Sequence, residues 1–170
     1  MLGHERISNL SVNGAPGMSQ TLEMVLRETA TLTPEELAIS LGRAKARNLS
    51  LWEFLVLERR IPEDVLADAF SKALNLPRVV VDATRVDAAA VDTVAGWLAH
   101  KHTCLPLRLD GKSLVLAMAN PLDSVAIQDV QFASSRYVQP VVASRTDILG
   151  GLRRFYPSTD RAKVEPSTPS

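Results

Sequence analysis

The run Leu105-Pro-Leu-Arg-Leu-Asp-Gly-Lys-Ser-Leu-Val-Leu-Ala-Met118 holds two apolar stretches separated by one tight-turn signal. Asp110-Gly111 supplies the positive φ angles of a short reversal, so Leu105–Leu109 and Leu114–Ala117 are predicted to be paired antiparallel strands. Downstream, Asp123 opens a helix that runs through Ala133, and Val138–Ala143 is an apolar, β-branched strand. Ser144-Arg-Thr-Asp147 then caps a last helix carrying Ile148, Leu149, Leu152, Phe155 and Tyr156. Upstream, the β-branched run Arg78-Val-Val-Val-Asp82 reads as a strand. Asp87 caps a helical stretch from Ala88 that breaks near Ala95-Gly96 and resumes through Trp97 and Leu98. Strands mixed with helices in this order imply an α+β sandwich over residues 76–157.

Residues 18–75 have a different period. Displacing the chain by 29 positions superposes Leu22 on Leu51, Val25 on Phe54, Leu26 on Leu55, Leu32 on Ile61, Leu37 on Leu66 and Leu41 on Phe70. The matched positions recur at helical spacing, so each copy is a short helix, a turn and a longer helix, and the two copies form a small bundle. Thr33-Pro-Glu-Glu36 is a capping box with proline at the tolerant first helical position. Pro62 with Glu63 and Asp64 marks the same start in the second copy, the acids complementing the helix dipole. Asn75 followed by Pro77 stops the second long helix and marks the joint between the units. Residues 1–17 mix Gly, Asn, Ser and Pro, and 158–170 form a Ser/Pro tail, neither with a sustained period, which implies extensions lacking a core.

Composition narrows the function. Lys and Arg number 19 against 19 Asp and Glu, a formal net charge of zero that gives no footprint for nucleic acid or for a membrane surface. The single cysteine, Cys104, reads as a buried small hydrophobe at the start of a strand. No apolar run reaches the ~18 residues of a bilayer span, and the N-terminus lacks a leader pattern, so direct membrane insertion is not expected and the placement is cytoplasmic. Gly111-Lys112-Ser113 imitates the end of a phosphate-binding loop, but Pro106 stands where that motif needs glycine and a strand comes next where it needs a helix. His100 and His102, two residues apart, read as an exposed helix end rather than a metal pair. No cofactor and no catalytic constellation are expected, so the chain reads as a non-enzyme.

Three stretches, Leu105–Asp123, Asp129-Val-Gln-Phe-Ala133 and Gln139-Pro-Val-Val-Ala-Ser144, resemble the N-terminal domain of type II secretion and type IV pilus assembly ATPases, the GspE/PilB/MshE group. The resemblance covers about residues 20 to 156, strongly after Pro77 and by apolar pattern before it. In that family the domain links a motor to the cytoplasmic part of an inner-membrane platform. Members close to MshE bind cyclic di-GMP through two tandem motifs, each an Arg-Leu-Gly triplet, a later Gly and a terminal Gln. Carried onto this chain, the triplets fall on Thr21-Leu22-Glu23 and Ser50-Leu51-Trp52, the glycines on Ala30 and Arg59, and the glutamines on Ala44 and Ala73.

Only the leucines are kept, which implies that cyclic di-GMP binding at this surface is lost or moved. The resemblance thus implies a stand-alone, non-catalytic interaction or regulatory module of a secretion, pilus or signalling assembly, recruited to the inner membrane by a protein partner. The alternative is a dinucleotide-sensing module with altered residues. Trp52, Arg59 and Arg60 are the candidate partner-binding residues, because Trp and Arg dominate the energetic centres of interfaces.

Overall fold

The computed structural model describes residues 22–81 and 86–157. The extensions expected over 1–17 and 158–170 lie outside the described residues. The chain divides into two compact units between Pro77 and Arg78.

The first unit is helical: α1 (22–28), α2 (Pro34–Ala46), α3 (Leu51–Leu57) and α4 (Glu63–Leu74). Helix α1 maps onto α3, and the start of α2 onto that of α4, at the displacement read from the leucines. Leu22, Val25 and Leu26 are buried, as are their counterparts Leu51, Phe54 and Leu55. The second copy holds the larger share of the core, since Ile61 and Phe70 are buried where Leu32 and Leu41 are only half-buried. The Thr33 hydroxyl accepts from the Glu36 amide at 3.2 Å, and the Glu36 carboxylate accepts from the Thr33 amide at 2.9 Å, closing the capping box. Pro62 has no side chain with which to cap α4, so that helix starts on the charges of Glu63 and Asp64 alone.

The second unit comprises α5 (Ala88–Val91), α6 (Gly96–His102), β1 (Cys104–Asp110), β2 (Ser113–Met118), α7 (Ser124–Ser134), β3 (Tyr137–Val142) and α8 (Arg145–Phe155). Strands β1 and β2 form the expected hairpin, with Asp110 opposite Ser113, and Gly111 alone carries the positive φ of the turn at +58°. Helix α7 is the crossover that brings β3 back parallel to β2, from Ser113 opposite Tyr137 to Met118 opposite Val142. Strand β2 is therefore central, and Leu114, Val115, Leu116, Ala117 and Met118 are all buried. Burial on both faces explains why it reads as a continuous apolar run rather than an alternating one.

The strand expected at Arg78–Asp82 is corrected to a single parallel bridge between Arg78 and Val142, with the Val79 amide donating to the Val142 carbonyl at 2.8 Å. Its neighbours explain the brevity. In this parallel register the residues after Arg78 would pair beyond Val142, where Ser144 already caps α8, and the residues before it would meet Pro140, which has no N–H. The one other outward donor of β3, the Val138 amide, is taken by the Gln131 side chain at 3.1 Å. The opposite edge strand is bulged at Leu107, whose carbonyl accepts from the Asp87 amide at 2.7 Å.

Tyr156 closes the unit. Its single O–H is shared between the carbonyls of Val91, at 2.8 Å, and Val94, at 3.0 Å, where α5 ends and the chain turns into α6. Its ring lies so close to Gly96 that an added Cβ there would sit 3.1 Å from Cδ1. Burial, with smaller contributions from Cys104 and Asp92, raises the phenol above its ordinary range, so it stays a donor at all physiological pH values. The Tyr156→Phe variant is expected to lose about 1–2 kcal/mol of stability, because it removes the hydroxyl donor from the Val94 carbonyl and leaves the Val91 carbonyl only the Val94 amide at 3.3 Å. A urea melt with unchanged slope and lower midpoint is the check.

Candidate functional site

In the first unit the structure brings two of the family's ligand positions together. Ala44 and Ser50 line one open cleft of about 430 Å³, with Leu41, Lys45, Asn48 and Leu51. The chemistry of that cleft has changed. Ser50, at the position of the second arginine, caps α3: its hydroxyl accepts from the Glu53 amide at 3.2 Å and donates to the Glu53 carboxylate at 2.7 Å, and its own amide donates to the same carboxylate at 2.8 Å. Ala44, at the first glutamine position, is buried and offers no polar atom. Ala73, at the second, is half-buried. Thr21, the first arginine position, lies outside the described residues. The sequence signal for the Ser50 cap is Ser-x-x-Glu, which the correspondence of Ser50 to a ligand position masks.

The two glycine positions keep the backbone without the residue. Ala30 and Arg59 both adopt left-handed conformations, φ +52° and +48°, just beyond the ends of α1 and α3. In each the next residue donates back into the helix, Thr31 to Leu26 at 3.0 Å and Arg60 to Leu55 at 3.2 Å, the pattern of a helix stop that glycine normally supplies.

The three candidate partner residues sit at both ends of α3. Trp52, in the first turn, is half-buried, its ring centroid 5.7 Å from that of Phe70 and tilted by 47°. Arg59 and Arg60 are exposed beyond the last turn, about 10 Å further along the axis at 1.5 Å per residue. Arg60 lies close enough to the α2 cap to add to the lowering of the Glu36 carboxyl, which comes first from the Thr33 amide and next from its hydroxyl.

The second unit disposes of the remaining sequence candidates. Lys112 projects from a hairpin turn with β2 directly after it, starting at Ser113, so no helix N-terminus faces it. Cys104 is fully buried, and burial, aided by the Asp123 carboxylate, pushes its thiol up to about 12. His102 is not the exposed helix end expected of it: its side chain is 8% accessible, and Nε2 lies 2.8 Å from a carboxylate oxygen of Asp129 on α7. That partner is 27 residues away, so nothing local announces it. The His100 ring meets Tyr156 edge-on, with centroids 6.5 Å apart.

A tandem helix-turn-helix unit leading into this mixed three-stranded unit is the architecture of secretion-ATPase N-terminal domains. Residues 74–162, more than half of the sequence, match the MshEN domain, and the chain belongs to that family. It is similar to the type IV pilus assembly ATPase PilB of Myxococcus xanthus, 26% identical over 134 residues that are 79% of this chain and 24% of that protein. It is also similar to bacteriophage adsorption protein B of Escherichia coli K12, 25% identical over 146 residues that are 86% of this chain and 20% of that protein. The chain thus spans about a quarter or less of the length of these curated relatives. Among solved structures, MshE with cdg superposes with a TM-score of 0.68 at 23% identity, over 79% of this chain and 98% of that one. The N-terminal domain of XpsE superposes with a TM-score of 0.66 at 23% identity, over 81% and 96%.

Restoring glycine at the left-handed positions is expected to stabilise the first unit. Ala30→Gly and Arg59→Gly each remove a backbone penalty of about 1–2 kcal/mol and reintroduce some unfolded-state entropy, for a net gain of roughly 0.5–1 kcal/mol by chemical denaturation. A second expectation concerns the caps. The Ser50 amide, and then its hydroxyl, hold the Glu53 carboxyl below its ordinary range, as Thr33 does for Glu36. A carboxyl lowered in the folded state stabilises above its unfolded pKa, and that contribution is lost as pH falls through the folded value. The Glu36→Gln/Glu53→Gln variant is therefore expected to be less stable than the parent at neutral pH, with the gap closing in acid. A gap independent of pH would refute the carboxylate's part in the caps.

Proposed function

We propose that this chain acts as a non-catalytic MshEN module that binds a protein partner in a secretion, pilus or signalling assembly. One observation carries this reading: Ser50 spends both its hydroxyl and its amide on Glu53, at a position where a dinucleotide-binding relative would need a free arginine. With alanine at both glutamine positions, the cleft retains its walls and lacks the groups that would pair guanine edges or phosphates. Trp52, Arg59 and Arg60 offer the aromatic and guanidinium surface that protein partners favour. The module acts in the cytoplasm and reaches the inner membrane through its partner.

The second reading, a cyclic di-GMP sensor with altered residues, is favoured by a specific feature. The cleft beside Lys45 and Asn48 is open, and the relative with this fold was solved with cdg. The two readings separate by experiment. Calorimetric titration with cyclic di-GMP is expected to give no saturable heat at micromolar ligand. In parallel, the immobilised protein is expected to retain a partner from cytoplasmic extract that is lost with Trp52→Ala and with Arg59→Glu/Arg60→Glu. Micromolar dinucleotide affinity that disappears in the double arginine variant would replace the first reading with the second.

A further inference from the structure

In the second unit, the β1–β2 turn and the α7–β3 connection enclose a second open cleft, of about 590 Å³, lined by Lys112, Gln131, Ser134, Ser135, Arg136 and Tyr137. Its lining contains two cations and no carboxylate. Arg136 gives one Nη1 donor to the Gly111 carbonyl at 2.8 Å, which fixes the guanidinium beside the turn and leaves its other N–H groups available. Neither Lys112 nor Arg136 forms an ion pair among the described residues. Large side chains stand exposed in this lining and on the helix that leads into it. Tyr137 is 70% exposed and Phe132, in the last turn of α7, is 91% exposed; Val125, seven residues earlier on the same helix face, is 58% exposed. Large side chains left in water next to unpaired cations mark an interaction surface rather than a core remnant.

We propose that this cleft is a docking site for an acidic peptide segment of a protein partner, one that carries carboxylates alternating with apolar side chains. Cations at Lys112 and Arg136 meet the carboxylates, and Tyr137 and Phe132 cover the apolar groups. Two features select this ligand over others. A phosphate site gathers backbone amides at a helix N-terminus, whereas this cleft stands at the C-terminal end of α7; that end disfavours any anion, so attraction has to come from the Lys112 and Arg136 side chains, spread over an extended ligand. Strand addition at the adjacent β3 edge has no donors left to use, because the Val138 amide is taken by Gln131, Pro140 has none, and Val142 is bridged to Arg78. Recognition is therefore by side chains. The site rests on the reading of the chain as an interaction module and places a contact in the second unit, distinct from Trp52, Arg59 and Arg60.

The test is an amide-resolved NMR titration of the full chain with a synthetic peptide of alternating glutamate and leucine, compared with its lysine-for-glutamate counterpart and with inorganic phosphate. The expected result is saturable submillimolar binding of the acidic peptide, with shifts at Gly111, Ser135 and Tyr137. Affinity should fall about tenfold or more in Lys112→Glu and again in Phe132→Ser, and be unchanged in Leu57→Ser, an exposed position in the first unit. Phe132 is almost fully exposed, so its replacement leaves the fold intact and the readout clean. Absence of saturation at several millimolar peptide, equal binding of the basic peptide, the same shifts with phosphate alone, or full affinity in both variants would each overturn the site. Capture of a cytoplasmic partner that survives Lys112→Glu and Phe132→Ser but is lost in Arg59→Glu/Arg60→Glu would overturn this site while sustaining the interaction reading. Loss of capture in the former pair alone would support it.

Discussion

Helices in this chain stop by turning one residue into the left-handed backbone region, and the rest of the structure depends on those stops. Among the described residues, Ala30, Asn48, Arg59, Asn75, Thr103 and Ser135 are the non-glycine residues with positive φ, and each stands at or just past the end of a helix. A stop of this kind folds the chain back on itself within two residues and satisfies the last carbonyls. It also sets the phase of the next helix: a stop one residue late at Arg59 would rotate α4 and withdraw Leu66 and Phe70 from the core. Asparagine tolerates this backbone best, through local hydrogen bonding of its short side chain, and occupies the ends of both long helices of the first unit. Alanine and arginine lack such a bond and occupy the ends of both short ones.

That constraint changes what the missing glycines mean. Read from the sequence, a glycine replaced by Ala30 or Arg59 counts against close approach of a phosphate. In the structure the same positions are helix stops, where the glycine that the resemblance implies would suit a positive φ, and this chain keeps the shape at a cost in strain. The case against dinucleotide binding therefore rests on Ser50, Ala44, Ala73 and Trp52, where side-chain chemistry rather than backbone shape differs. Trp52 packs against Phe70, so the surface role proposed for it is tied to the packing of α4.

Much of the architecture is written locally, and the remainder obeys one rule. The hairpin, the caps at Thr33, Asp87, Asp123 and Ser144, and the repeat of the first unit each depend on residues within a few positions of one another, where turn chemistry and helical period act. Features that local reading misses involve distant partners. Arg78–Asp82 has the composition of a strand, but pairing beyond the bridge at Val142 would need β3 to continue where Ser144 already caps α8. His102 finds Asp129, and Tyr156 finds Val91 and Val94, across separations of 27 to 65 residues. The candidate site was legible only as a set of altered positions: composition gave their chemistry, and the fold was needed to show that Ser50 is committed to a cap and that Phe132 stands in water.

The two units differ in how tightly such long-range ties hold them, and this bears on where function can drift. In the first unit each helical pair is a repeat held chiefly by leucines against its neighbour, so polar positions between the leucines can change without disturbing the fold. In the second, the central strand is buried on both faces, both sheet edges are closed by specific donors, and the last helix is tied back through Tyr156. Substitution there disturbs several partners at once, and it is this unit that carries the family match over residues 74–162. A module in which the ligand-bearing half is free to vary and the scaffold half is fixed can exchange one partner class for another by surface changes alone. With both sheet edges closed to strand addition, Phe132 and Tyr137 are the large exposed side chains beside the turn through which the docking site proposed above would have to act.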